Sequence, residues 1–218
     1  MFVCARPAKL LALVVSVVVL GVCPSMSSAS LVIEVADAAV APGGTATVDV
    51  TISSTLPGGE PLSNFGFEFL ISTAGPTQLD FVDPQSDSQL TQANYVLFGN
   101  SLAEAIPPVG TVGITIVPND TFVGGDGTAD FSDVTVPASG LLLARLNLTT
   151  LTLLPPQLGD TFSIALLTGV NTFFGDSEEN PIGFSSLAGT VTVVPEPLTF
   201  GLLISGLPWL AVRLRRRY

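Results

Sequence analysis

Between Ser30 and Val194 the apolar and polar side chains alternate with a period of two. Ala46, Val48, Val50 and Ile52 interleave with Thr47, Asp49, Thr51 and Ser53, which puts one set on each face of a half-buried strand. Phe65, Phe67, Phe69 and Ile71 do the same against Gly66, Glu68, Leu70 and Ser72. Further strands are predicted over Leu31–Ala36, Leu79–Val82, Thr111–Val117, Leu141–Leu153, Thr161–Thr168 and Leu187–Val194. Pro42-Gly43-Gly44, Pro57-Gly58-Gly59, Gly124-Gly125 and Pro155-Pro156 mark turns between them. The nearest approach to a helix, Ser86–Ala93, is short and polar and reads as a loop or a single turn. Eight or nine strands separated by Gly and Pro turns indicate an all-β, antiparallel sandwich occupying residues 30–194.

The two ends of the chain follow other rules. Arg6 and Lys9 precede the apolar run Leu10–Val22, and small residues ending Ser27-Ser28-Ala29-Ser30 follow it. That order is a secretory signal peptide over residues 1–29, cleaved after Ala29 or Ser30. The run falls short of the roughly 20 residues needed to span a bilayer, which argues against a retained anchor. Cys4 and Cys23 both lie in the segment to be removed, so the mature protein has no disulfide, thiol nucleophile or thiolate metal site. Leu20-Gly21-Val22-Cys23 is similar to a lipoprotein box, but Val22 stands where that motif takes a small residue.

At the other end, Pro195-Glu196-Pro197 is followed by the apolar run Leu198–Val212 and then by Arg213, Arg215, Arg216 and Arg217. A helix over that run is predicted to insert in a membrane with the arginines on the cytoplasmic side. The three ordered parts, residues 195–218, resemble the PEP-CTERM sorting signal of Gram-negative bacteria. The resemblance implies export through the secretion translocon, transient membrane insertion through the C-terminal helix, and recognition by an exosortase, a membrane-embedded transpeptidase-like enzyme. Removal of the tail and delivery to the cell surface or extracellular matrix would follow.

A second resemblance covers the domain between. Val40-Ala41-Pro42-Gly43-Gly44-Thr45 leading into the strand to Ser53, then Asn64-Phe65-Gly66-Phe67-Glu68-Phe69 and Leu79-Asp80-Phe81-Val82, look like the opening of a cohesin-like domain. Leu141–Leu148 and Gly189-Thr190-Val191-Thr192-Val193 are similar to its later strands. The likeness implies a jelly-roll sandwich of about nine strands, a fold shared by dockerin receptors and some carbohydrate-binding modules.

Composition narrows the chemistry. The chain is 47% hydrophobic and 11% charged, with a net charge of -11 and no histidine. Arg145 is the only basic residue between Ser30 and Val194, against seventeen acids. Such a surface cannot track phosphates, which excludes nucleic-acid partners. Without histidine, mature cysteine or mature lysine there is no imidazole base and no thiolate or amine nucleophile. A carboxylate pair, as in glycoside hydrolysis, is the one catalytic route left.

Two acidic groups suit a hard cation by residue type: Asp120, Asp126, Asp130 and Asp133 around a glycine-rich turn, and Asp176, Glu178 and Glu179 in another. Turn chemistry, in which Asp and Gly favour tight backbone, explains the same residues without calcium. Tyr95 is the only Trp or Tyr of residues 30–194, which is poor material for a flat sugar platform. Phe173-Phe174 would point to opposite faces of a strand, leaving one ring exposed. The function expected is a non-catalytic structural or adhesive surface module without a cofactor, associated with exopolysaccharide or another surface protein. A carbohydrate-binding or dockerin-binding receptor is the alternative, and a glycoside hydrolase stands behind both.

Overall fold

The alternating segments become strands in the computed structural model, which describes residues 30–105, 113–116 and 118–196. In chain order they are β1 (Leu31–Val35), β2 (Ala38–Val40), β3 (Thr45–Ser54), β4 (Glu60–Leu62), β5 (Asn64–Ser72) and β6 (Asp80–Phe81). A single helical turn, α1 (Leu102–Ala105), precedes β7 (Gly113–Ile116), β8 (Thr121–Gly127), β9 (Val134–Val136) and β10 (Leu141–Thr149). The chain closes with β11 (Thr161–Leu166), β12 (Phe173–Gly175), β13 (Phe184–Leu187) and β14 (Gly189–Val193). No helix among the described residues is long and apolar enough to cross a membrane. The signal peptide and the helix expected over Leu198–Val212 lie outside the described residues.

Two sheets face each other. One runs β13-β1-β3-β10-β6; the other runs β2-β14-β11-β5-β8-β7, with β12 also paired to β5. A small β4-β9 ribbon lies apart from both. The first and last stretches of chain each change sheet. β1 lies parallel to β13 in the first sheet, and β2 lies parallel to β14 in the second. Gly189 stands at this crossing, where a Cβ atom would come within 2.6 Å of the Ala36 carbonyl oxygen. The other pairings are antiparallel, as expected for a jelly-roll sandwich.

The period-two pattern sets what lies between the sheets. Leu31, Ile33, Val35, Val48, Val50, Ile52, Leu146 and Leu148 come from the first sheet and Phe65, Phe67, Phe69, Ile71, Phe162, Ile164, Val191 and Val193 from the second, all buried in one cluster. Phenylalanine rings run through it. Phe67 lies 5.1 Å from Phe69 and 5.7 Å from Phe122, and Phe122 lies 5.8 Å from Phe81 across the gap between the sheets. Each such pair adds about 0.5–1.5 kcal/mol beyond its burial.

Several boundaries differ from the sequence expectation, each for a tertiary reason. Leu187–Val194 is not one strand but the end of β13 plus β14, because the chain switches sheets at Ala188. Leu141–Leu153 stops at Thr149. There the buried Thr150 hydroxyl donates to the carbonyls of Ala41 and Gly44 and turns the chain out of the sheet. Gly124-Gly125, expected as a turn, lies within β8. Its glycines let β8 approach β5 so closely that a Cβ on Gly125 would stand 2.5 Å from the Phe65 carbonyl oxygen. Phe174 is buried and Phe173 half exposed, as the adjacent pair implied.

Candidate functional site

The acids singled out in the sequence are scattered, and Asp126, Asp130, Asp133 and Asp176 are each held by their own donors. Asp126 Oδ2 accepts from Tyr95 Oη at 2.8 Å and Ser101 Oγ at 2.5 Å, while Oδ1 accepts from the backbone N–H of Ala103 and Gly127. Both oxygens are thus used to pin residues 95–103 onto β8. Burial pushes the Tyr95 phenol up from its ordinary pKa, and the facing Asp126 charge adds to the effect. Asp130 accepts from Asn100 Nδ2, Ser132 N and Ser132 Oγ, and these donors, Asn100 first, hold its carboxyl down at about 2.

Asp133 accepts from the backbone and hydroxyl of Ser177, joining two distant loops. Asp176 accepts from Asn180 and from the Glu178 N–H, and the Asn180 bonds lower its pKa. Asp120 sits elsewhere, beside Asp80, whose carboxyl is pushed up by burial and further by the Asp120 charge against the lowering bond from Gln78. Asp120, Asp126, Asp130 and Asp133 therefore do not gather into one cage. Among the described residues no group of three or more acids could hold a metal ion. Intramolecular N–H and O–H donors bond both carboxylate oxygens of Asp126, Asp133 and Asp176. Of the sorting residues, Pro195 and Glu196 are exposed just beyond β14. Pro197, Arg213, Arg215, Arg216 and Arg217 lie outside the described residues.

What the fold does assemble is a face that sequence reading did not single out. On the outer side of the five-stranded sheet, β3 presents Thr47, Asp49, Thr51 and Ser53, and β10 presents Arg145 and Asn147. Arg145 stands directly opposite Asp49 in the antiparallel register. The pair is bidentate, Nε to Oδ1 at 2.6 Å and Nη2 to Oδ2 at 2.9 Å. Hydrogen bonding to Asp49 raises the guanidinium pKa, so the cation stays charged and paired. Next along the strands, Thr47 Oγ1 donates to Asn147 Oδ1 at 3.1 Å.

The β10 edge of this sheet is closed. Gln85 exchanges bonds with the Asn147 backbone, its Nε2 donating at 2.8 Å and its Oε1 accepting at 2.7 Å. Val96 N and Asn94 O bond the Leu142 backbone in the same way. Two shallow grooves open on the face. One, of about 570 Å³, is lined by Ala36, Thr47, Asp49, Ser88, Arg145 and Asn147. The other, of about 280 Å³, is lined by Glu34, Thr51, Ser53, Asn94 and residues 138–142.

The outer side of the second sheet is more encumbered. There the Phe173 ring lies over Gly66, and Asn171 and Thr172 bond Glu68. The candidate face is thus rich in hydroxyl and amide groups, with Arg145 and Asp49 neutralising each other and the exposed Glu34, opposite Thr51, as a further charge. Its one legible signal was Arg145, a lone cation in an acidic stretch, but its partner lies 96 residues away.

No family model matches the chain, and no curated protein does. Solved structures share its fold. The sixth cohesin of scaffoldin B from Acetivibrio cellulolyticus, crystallised in complex with a dockerin, aligns at a TM-score of 0.51 and 16% identity, covering 75% of this chain and 99% of that one. A non-cellulosomal cohesin from the archaeon Archaeoglobus fulgidus aligns at 0.49 and 12%, covering 79% and 97%. The strand content and the Acetivibrio alignment make the fold all-β and cohesin-like.

Proposed function

We propose that the domain is a non-catalytic binding module, exported and displayed at the cell surface or in the extracellular matrix, whose five-stranded sheet takes a protein partner on its outer face. The observation that carries this reading is the face itself. Its one cation and the carboxylate opposite neutralise each other, and the groups around them, Thr47, Thr51, Ser53 and Asn147, can donate and accept hydrogen bonds. Interface centres are depleted of net charge in just this sense, since unpaired charges are costly to strip of water. The dockerin bound to the Acetivibrio neighbour supports a small protein module as the partner. That relation is one of fold, so the weight rests on the face. Among the described residues no aromatic ring lines either groove, so neither offers the flat stacking platform that suits a sugar.

Passage through the translocon and sorting by an exosortase are supported by the order of Pro195-Glu196-Pro197, the apolar run and the arginine cluster. The binding reading is tested by calorimetric titration of the full chain with dockerin modules and, separately, with soluble exopolysaccharide. A protein module should bind, with loss of binding in Thr51→Arg and none in Glu178→Ala. Binding that survives Thr51→Arg would move the site off this face, and saturation by polysaccharide alone would overturn the protein partner.

A further inference from the structure

The residues after Thr150, from Leu151 to Leu158, carry no charge and include four leucines. These are 72%, 95%, 55% and 59% exposed at Leu151, Leu153, Leu154 and Leu158. Scattered exposed leucines are ordinary, but four on one uncharged loop form a patch. The backbone beneath them is fixed. Thr150 is tied to Ala41 and Gly44, Thr152 Oγ1 donates to the Gln78 carbonyl at 3.2 Å, Gln78 N donates to the Leu154 carbonyl at 2.8 Å, and Pro156 is buried. The loop therefore holds its leucines outward.

The position of the loop says what they meet. Gly159 N donates to the Val193 carbonyl, and Val193 N donates to that of Asp160, both at 2.9 Å, so the loop ends against the last residues of β14. Strand registers put Thr45, Thr149, Thr161 and Val193 at one end of the sandwich. Ser30, bonded to Gly183, lies at the opposite end with the Asp133 and Asp176 loops. Beyond Glu196 the sequence becomes apolar from Leu198 to Val212 and then basic. The four peptide links from Val194 to Leu198 span at most about 14 Å. A bilayer that takes up the apolar run must come within that distance of the chain's departure point, beside the leucine loop.

We propose that the 151–158 loop is a membrane-seating surface whose leucines enter the boundary between headgroups and acyl chains while the C-terminal segment is inserted. The proposal rests on the reading of that segment as membrane-inserted. Seventeen acids and one arginine between Ser30 and Val194 give the domain no electrostatic attraction to anionic lipid, so contact has to be apolar. Leucines projecting from a loop suit a fluid acyl layer, whereas a second helix docks best in a groove between ridges. Seated in this way, the domain would hold the Asp133 and Asp176 loops away from the membrane, with the strands of the candidate face running along the membrane normal.

The test uses the chain from Ser30 to Tyr218, as signal-peptide removal would leave it and free of cysteine, reconstituted in phosphatidylcholine vesicles with doxyl-labelled acyl chains. Trp209, the only tryptophan, reports insertion of the C-terminal segment. An environment-sensitive fluorophore on Gln157→Cys reports the loop, and one on Glu178→Cys the far end. Trp209 and the Gln157 probe should both lose emission to the doxyl groups while the Glu178 probe keeps its own. Changing Leu151, Leu153 and Leu154 together to Ser should restore the Gln157 signal and leave Trp209 quenched. Quenching of Trp209 with none at Gln157 would overturn the seating and leave the insertion reading standing. A Gln157 probe shielded from water but unquenched would mean that the chain's own apolar segment covers the loop, which also overturns it. An unquenched Trp209 would bring down both.

Discussion

Phe67 has no exposed surface, and its ring meets those of Phe65, Phe69 and Phe122. Phe67→Ala should cost about 3–5 kcal/mol, through lost transfer energy and the cavity left in a layer that two sheets hold apart. Glu68, one residue on, points to the other face and bonds only Asn171 through its side chain. Glu68→Ala should cost less than about 1 kcal/mol, and chemical denaturation of the two variants separates the effects. Asp130 supplies a pH dependence of defined sign. Its folded pKa of about 2 lies below the unfolded value of about 3.9, so the stabilisation is complete above pH about 4 and is lost as pH falls toward 2. Asp176 shifts in the same direction. Buried Asp80 shifts the other way, so its protonation favours the folded state as pH falls. Asp130→Asn should therefore flatten the decline of melting temperature between pH about 4 and 2. An unchanged slope would mean that the Asn100 and Ser132 bonds do not persist in solution.

Among the elements, β8 departs furthest from its local sequence. Gly124-Gly125-Asp126-Gly127 has the composition of a turn, yet it pairs residue by residue with β5 from Asn64 to Phe67. Local propensity loses because the neighbouring strand leaves no room for a side chain at Gly125. Gly125→Ala should cost at least about 1–3 kcal/mol, as overpacking against a backbone atom that cannot rotate away. Gly58 has nothing within 4 Å of its Cβ position, and Gly58→Ala should be neutral or stabilise by up to about 1 kcal/mol. Equal melting shifts for the two alanines would refute the close approach of β8 to β5. Asp126 follows from the same placement. In a turn it would be one more solvated acid, but within β8 its carboxylate lies under Tyr95 and Ser101 and becomes a fastener.

At the scale of the whole molecule the charge is lopsided in kind. With seventeen acids and one arginine between Ser30 and Val194, self-repulsion should weaken the folded state at low ionic strength. The melting temperature of the full chain should rise as sodium chloride approaches about 0.1 M, where the Debye length is about 10 Å, and magnesium or calcium at matched ionic strength should add no site-specific step. A calcium-specific step would revive a cation site. The C-terminal segment carries its own prediction. Alanine at Pro195, Glu196 and Pro197 should leave export intact and prevent tail removal, as read by the intact mass of the exported protein. A native protein delivered to the surface with residues 198–218 still attached would refute the sorting reading.

The fold class and the residues facing the core were legible from the sequence alone. Both depend on a local quantity, the period of hydrophobicity along each strand. The division of the first and last strands between two sheets was not legible, nor was the strand character of β8. Both depend on how closely another backbone approaches, at Ala36 for Gly189 and at Phe65 for Gly125. The candidate face was hidden for the same reason. Thr47, Asp49, Arg145 and Asn147 are unremarkable polar positions until the β3-β10 register brings residues about a hundred apart into hydrogen-bond contact. The acidic clusters read the opposite way. By residue type they admitted a cation as well as plain turn chemistry, and only the tertiary structure decided that Asp126, Asp130 and Asp133 stand apart, because each accepts from its own N–H and O–H donors on a different loop.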